Sequence, residues 1–226
     1  MKAFFPTTLL LTCIIAVNAQ INPSFTRWEP REIEDIRLDE ITGSPYLIDS
    51  FQNGFILLES ELLIPLKLRY NIHTDAIEFR HDEKTYQLQS HPNIKMITIA
   101  DRVFQFLEFK KSNTKTQKSY LELIADGKVS LYCRHQTQYY PNRPNQEIGD
   151  SYNGLKKPEY ITQSLSYFSK LDNEMPVEFN SPKQLYTLLN STIKDQAEII
   201  SEKNKTRFWN KNDLIDLFNQ LNNPNK

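Results

Sequence analysis

Cys133 and His135 stand two residues apart in a stretch that alternates apolar and polar side chains. On an extended strand, residues i and i+2 share a face with their Cα atoms roughly 6.5–7 Å apart, so a thiolate–imidazole pair is within reach. Cys133 also continues the apolar stripe of Val129 and Leu131. Free cysteine is among the residue types most often buried, so the expectation is a packed structural thiol. A catalytic thiol outside the cytoplasm would also face oxidation. His73, Asp75 and His91 form the other metal-like set. Two strand spacings, roughly 9–10 Å, separate His73 from His91 in a three-strand meander, and His81 falls at the opposite end. Zinc wants three or four converging donors, so no metal site is expected, and no cofactor either. The chain has no Gly-x-Ser-x-Gly elbow, and its 5 glycines leave no phosphate-cradling loop. Its 28 acids make carboxylate pairs common by chance, so the sequence assigns no catalytic residue.

The remaining chemistry lies in Tyr139, Tyr140 and Arg143, inside a polar stretch at 136–158 without a useful period. Tyrosine offers a flat apolar face with a polar tip, and arginine a planar fork. Both are enriched where proteins touch partners. These three residues are the candidate partner-binding set, weighed against tyrosines folding back over a sheet edge.

Positioning them requires an exported scaffold. Lys2 precedes the apolar run Leu9–Val17, and Val17-Asn18-Ala19 has the form of a cleavage site. Residues 1–19 therefore read as a signal peptide. The run is too short to cross a hydrocarbon layer of roughly 30 Å, and no later stretch reads as a transmembrane span. Thr12 before Cys13, with apolar residues continuing after it, argues against a lipidated cysteine. Cleavage removes Lys2 and Cys13, so the net charge moves from −1 to −2 and Cys133 is left without a disulfide partner. A near-neutral chain also lacks the cationic excess that nucleic-acid binding needs.

Two regions of different period follow. Residues 20–180 read as a β-rich domain. Leu62, Ile64, Leu66, Leu68, Tyr70 and Ile72 alternate with Leu63, Pro65, Lys67, Arg69 and Asn71 as one buried face of a strand, with Pro65 marking an edge or bulge. Further short strands follow, and Asp126-Gly127 is a two-residue hairpin signal. From 181 to 226 the period is helical. Ser181, Pro182 and Gln184 form an N-terminal signature, a second helix spans Thr192 to Lys203, and Asn210 with Asp213 starts a third. The fold class is α+β: an antiparallel, meander-rich β-domain with a short helical C-terminal segment packed on it.

Gly43-Ser44-Pro45-Tyr46-Leu47, Leu68-Arg69-Tyr70-Asn71-Ile72 and Ile77-Glu78-Phe79, followed by the helical tail, resemble a loose family of secreted proteins of Bacteroidetes-type bacteria. The chain departs from that pattern at its first hairpin turn, where Glu59-Ser60-Glu61 replaces the usual Asp or Gly. The resemblance implies an exported bacterial protein and carries over no catalytic residue. The functional expectation is a non-catalytic exported protein of the periplasm, cell surface or medium that binds an envelope or extracellular protein or glycan. The alternative is an exported hydrolase acting on glycan or peptide.

Overall fold

The computed structural model describes residues 31–33, 41–89, 91–111, 116–141, 143–144 and 155–223. The signal segment expected at 1–19 lies outside the described residues. The strands are β1 (Arg31–Ile33), β2 (Gln52–Leu58), β3 (Leu63–Asn71), β4 (Ala76–His81), β5 (Lys84–Gln87), β6 (Ile94–Ile99), β7 (Arg102–Lys110) and β8 (Thr116–Ala125). They continue as β9 (Val129–Arg134), β10 (Thr137–Tyr140), β11 (Arg143–Pro144), β12 (Leu155–Lys156), β13 (Glu159–Thr162), β14 (Ser166–Leu171) and β15 (Val177–Phe179). Three helices end the chain: α1 (Pro182–Leu188), α2 (Ser191–Asn204) and α3 (Lys211–Asn222). The α+β class holds, with strands predominating.

An open meander does not form. Consecutive antiparallel hairpins run through β2–β5 and β6–β9, but β2 pairs with β6, which joins the two runs side by side. The sheet then closes. β7, β8, β9, β14 and β15 are neighbours in that order, and β15 returns to β7 through the parallel pair Val177 and Lys110. The Lys110 amide donates to the Pro176 carbonyl at 2.9 Å across that seam. Closure removes the edges that an open sheet would leave there. Adjacent-strand pattern alone does not reveal it, because the seam joins residues 67 positions apart in sequence.

Phe109, Leu121, Tyr132 and Phe168 pack together inside this small barrel, with Phe109 edge-on to Phe168 at 4.8 Å between ring centres. The outer face of β8, β9, β14 and β15 carries Ala125, Val129, Leu131, Cys133, Tyr167 and Phe179. All three helices cover it with Leu185, Ile193, Ala197, Leu214, Leu217 and Phe218. Full burial of a side chain of this size contributes about 1.5–3 kcal/mol, so neither layer is stable without the other.

The helices begin where their caps are. Ser181 Oγ accepts from the Gln184 amide, and Gln184 Oε1 accepts from the Asn180 amide. Asn190 and Asn210 cap α2 and α3 in the same way. The far end of α3 is tied down by Asn222, which exchanges hydrogen bonds of 3.0 and 2.9 Å with the Val129 amide and carbonyl. Gly127 sits under that side chain at φ +151, where a Cβ would fall 2.3 Å from the Asn222 amide carbon. The hairpin glycine thus admits the helix as well as the turn. The loop is three residues long, Asp126 to Lys128, with a bulge between Leu123 and Ala125, instead of the two-residue turn the dipeptide suggests.

A second core lies between the N-terminal strands and the face of β7 and β8. Ile56, Leu68, Tyr70, Ile77, Phe79 and Ile97 fill it. Tyr70 stacks edge-on to Phe104 and Tyr120, at 5.2 and 5.9 Å, although β3 is not a ladder neighbour of either strand. The sheet therefore curls back over itself. Gly54 lies in β2 between β3 and β6, where a Cβ would meet the Thr98 carbonyl oxygen at 2.1 Å. Asp75, in the β3–β4 turn, accepts from the Tyr70 hydroxyl at 2.6 Å and from the Tyr120 amide at 3.3 Å. Pro65 lies opposite Phe55, before the β3–β4 register begins at Lys67, so it falls where β3 has one neighbour. Leu62, expected on the buried face, is 52% exposed because it belongs to the β2–β3 turn, ahead of the first residue of β3. Among the described residues no helix is long and apolar enough to cross a membrane.

Candidate functional site

The stretch expected as a loop at 136–158 supplies one strand of a two-stranded ribbon. Thr137–Tyr140 of β10 pairs with Glu159–Thr162 of β13, outside the main sheet. Tyr139 faces Tyr160 across the ribbon, with ring centres 5.0 Å apart. His73, in the β3–β4 turn, packs edge-on to Tyr160 at 5.2 Å and to Tyr139 at 6.3 Å. The ribbon is held at its base by the Thr42 backbone, which donates to the Pro158 carbonyl at 3.0 Å and accepts from the Tyr160 amide at 2.8 Å. Gly43 follows at φ +75, with its α-carbon so close to the Tyr160 carbonyl that a Cβ would clash at 2.3 Å.

An isolated two-stranded ribbon is marginal in water, so these braces are what fix the aromatic group in place. Tyr139 remains 37% exposed. On the other face of the ribbon Gln138 lies opposite Ile161, which is 41% exposed. Tyr140 lies opposite Glu159 and is partly buried. Arg143 sits in β11 opposite Lys156 of β12, and its side chain lies outside the described residues. Tyr139 and Tyr140 therefore point to opposite faces and do not form one patch, because side chains alternate along a strand. Sequence reading missed Tyr160 and His73 beside Tyr139, and Ile161 on the opposite face. The β-run around Tyr160 was visible, but its partner strand was not.

His73, His81 and His91 are engaged separately. His73 Nδ1 lies 3.4 Å from the Thr137 carbonyl, and His91 Nδ1 accepts from the Asn93 amide at 3.1 Å. Half-exposed His81 is 3.4 Å from Asp82.

Cys133 and His135 do meet, and a third group joins them. Glu122 of β8 lies directly opposite Cys133 of β9. Its Oε2 is 2.5 Å from His135 Nε2 and 3.4 Å from the Cys133 sulfur, while sulfur and Nε2 are 3.4 Å apart. All three residues are buried, Cys133 completely. Arg102 Nη1 donates to both Glu122 oxygens at 3.2 Å, and Lys211 Nζ, at the start of α3, donates to Oε1 at 3.4 Å. Burial by itself raises the Glu122 carboxyl, but the His135 hydrogen bond and charge, with Lys211 and Arg102, bring it down to about 2. Burial and the neighbouring Glu122 push the Cys133 thiol well up.

This arrangement does not suit nucleophilic catalysis. A relay needs one imidazole nitrogen on the thiol and the other on the carboxylate. Here Nε2 faces both, and the thiol is held protonated. Glu122 left no signal in the linear sequence. A two-residue Asp126-Gly127 turn would have set it opposite Leu131, and the longer loop and bulge move Cys133 into that place.

A further exposed aromatic lies elsewhere. Trp209, 79% exposed in the α2–α3 connection, borders an open cleft of about 530 Å³ with Phe208, Tyr167 and Phe179. The chain matches no protein-family model, no curated protein and no solved structure.

Proposed function

We propose that this chain is an exported, non-catalytic protein that binds another envelope or extracellular component through the β10–β13 ribbon. One observation carries the reading: Tyr139 is presented at the surface on a ribbon outside the main sheet, while Tyr160 and His73 hold its ring from behind. An aromatic side chain fixed before binding loses little conformational freedom on contact, which is the property of an interface anchor. Export rests on the signal-peptide pattern of residues 1–19. The hydrolytic alternative needs an acid held protonated in a cleft. Among the described residues, the two carboxylates with displaced acidity, Glu122 and Asp213, are both lowered by cationic neighbours, which suits ion pairs and not proton donors.

The test is crosslinking in source cells, followed by mass spectrometry and glycan analysis of what copurifies. The wild type is compared with Tyr139→Ala, Ile161→Ala and the distant Trp209→Ala. A partner retained by Trp209→Ala and lost with Tyr139→Ala supports the ribbon. Loss only with Trp209→Ala, or a partner-free protein that cleaves glycan or peptide, overturns it.

A further inference from the structure

Three different metal-ligating atoms converge in the buried cluster on β8 and β9. Sulfur to nitrogen is 3.4 Å, and sulfur to carboxylate oxygen is 3.4 Å. A tetrahedral zinc ion with bonds of about 2.3 Å to sulfur and about 2.0–2.1 Å to nitrogen and oxygen sets its ligand atoms roughly 3.3–3.6 Å apart. Two of the three edges already have that length. The third, from His135 Nε2 to Glu122 Oε2, is 2.5 Å, the length of a direct hydrogen bond. Opening that edge by under roughly 1 Å completes a zinc triangle, a movement within reach of side-chain torsions.

The backbone supplies what such a site needs. Glu122 and Cys133 are a cross-strand pair in a paired interior of the sheet, and His135 follows on the same chain segment. The ladder thus sets Glu122 and Cys133, and His135 stands one residue past the end of β9, in the β9–β10 connection. The same imidazole nitrogen faces both other donors, which is the geometry of convergence on a shared point. Arg102 and Lys211 reach Glu122 from the rim, each with about a third of its side chain exposed. Lys211 reaches Oε1 and Arg102 Nη1 reaches both oxygens, while Oε2 also faces the sulfur and the imidazole. Outer hydrogen bonds of this kind orient a metal-binding carboxylate. Their positive charge also weakens attraction for a cation.

We propose that Glu122, Cys133 and His135 form a zinc-class metal site with three protein donors, on the face of the β8–β9 hairpin where α3 docks. Binding replaces the thiol proton and the Nε2 proton that His135 shares with Glu122 by bonds to the ion; the thiol proton leaves to solvent, and the Nε2 proton leaves to solvent or moves to Nδ1. Thiolate and carboxylate together balance the charge of a divalent ion. The site is independent of the ribbon and of any partner bound there.

Cobalt(II) is the probe. The chain has 2 cysteines, so Cys13→Ser leaves Cys133 as its sole thiol whether or not residues 1–19 are removed. Anaerobic titration of that protein with cobalt is expected to give tetrahedral visible bands and a thiolate-to-cobalt charge-transfer band. Stoichiometric zinc should erase both, and excess zinc should raise the Tm. Lys211→Ala, on the partly exposed rim, should keep the band and tighten zinc binding severalfold, because a repelling charge is gone. Absence of the charge-transfer band from the folded Cys13→Ser protein overturns the proposal. So does a cobalt spectrum without thiolate character, which would place the ion on surface carboxylates or histidines.

Discussion

Two buried carboxylates in this protein have taken different surroundings. Glu78 on β4 faces Arg69 directly across the β3–β4 ladder. Arg69 donates to it from Nε and Nη2 at 3.1 and 2.6 Å, and Asn71 donates to its other oxygen at 3.1 Å. The guanidinium lies 3.7 Å from the Tyr46 ring and 4.3 Å from the Phe51 ring, and its Nη1 donates to the Asp49 carbonyl. Pro45 and Leu47 bind the β3 end through backbone hydrogen bonds to Ile72 and Tyr70. Residues 43–47, 68–72 and 77–79 are therefore joined in one latch: Tyr46 over Arg69 against Glu78. Glu122, by contrast, meets its cations at a partly exposed rim and turns one oxygen inward to a thiol and an imidazole. A charge whose partners are all fixed and buried maintains structure. A charge that shares an oxygen with two metal-ligating atoms has chemistry available to it.

The comparison breaks most sharply at Arg69. Arg69→Ala leaves Glu78 buried without its ion-pair partner and should cost about 3–5 kcal/mol in urea unfolding. A loss under about 1 kcal/mol would mean that the latch is peripheral. Cys133→Ser puts a more polar hydroxyl into a fully buried position and should cost about 1–3 kcal/mol by the same measurement without zinc. Lys211→Ala removes only a rim contact and should change stability by about 1 kcal/mol or less, which separates the Glu122 cluster from the latch. Tyr139→Ala, on the ribbon surface, should leave thermal unfolding unchanged within about 0.5 kcal/mol while it abolishes partner capture.

The smallest effect belongs to an exposed ion pair used as a reference. Arg207 hydrogen bonds hold Asp213 down at about 2, below its ordinary 3.8. A lowered carboxyl contributes stability that is complete above its unfolded value and lost as pH falls through its folded value. Asp213→Asn should therefore match the wild type at pH 2 and fall slightly below it above pH 4, as read from Tm against pH.

Much of this was legible in the chain. The caps at Ser181 and Asn210 and the start of α1 at Pro182 were readable because each depends on side chains within three residues of the backbone they bind. The period-two pattern of residues 62–72 located β3 and its buried end. Tyr139 was singled out as a partner-binding candidate and is 37% exposed, but its pairing with Tyr160 and its contact with His73 were not visible. They join segments about 20 and about 65 residues apart through ribbon and turn geometry. Tyr140 was grouped with Tyr139 only because a loop has no faces, and a ribbon has two.

By itself, then, the sequence determined what short-range physics sets: strand and helix periods, capped helix starts, a glycine where a turn requires one, and a sulfur that sits in an apolar stripe. Tertiary structure alone decided barrel closure at Lys110 and Val177, the curl that brings Tyr70 onto Tyr120, and the arrival of Glu122 beside Cys133 and His135. The reason is register. One bulge near Ala125 changes which residue lies opposite Glu122, and a strand's partners follow from packing across the whole sheet rather than from its neighbours in the chain.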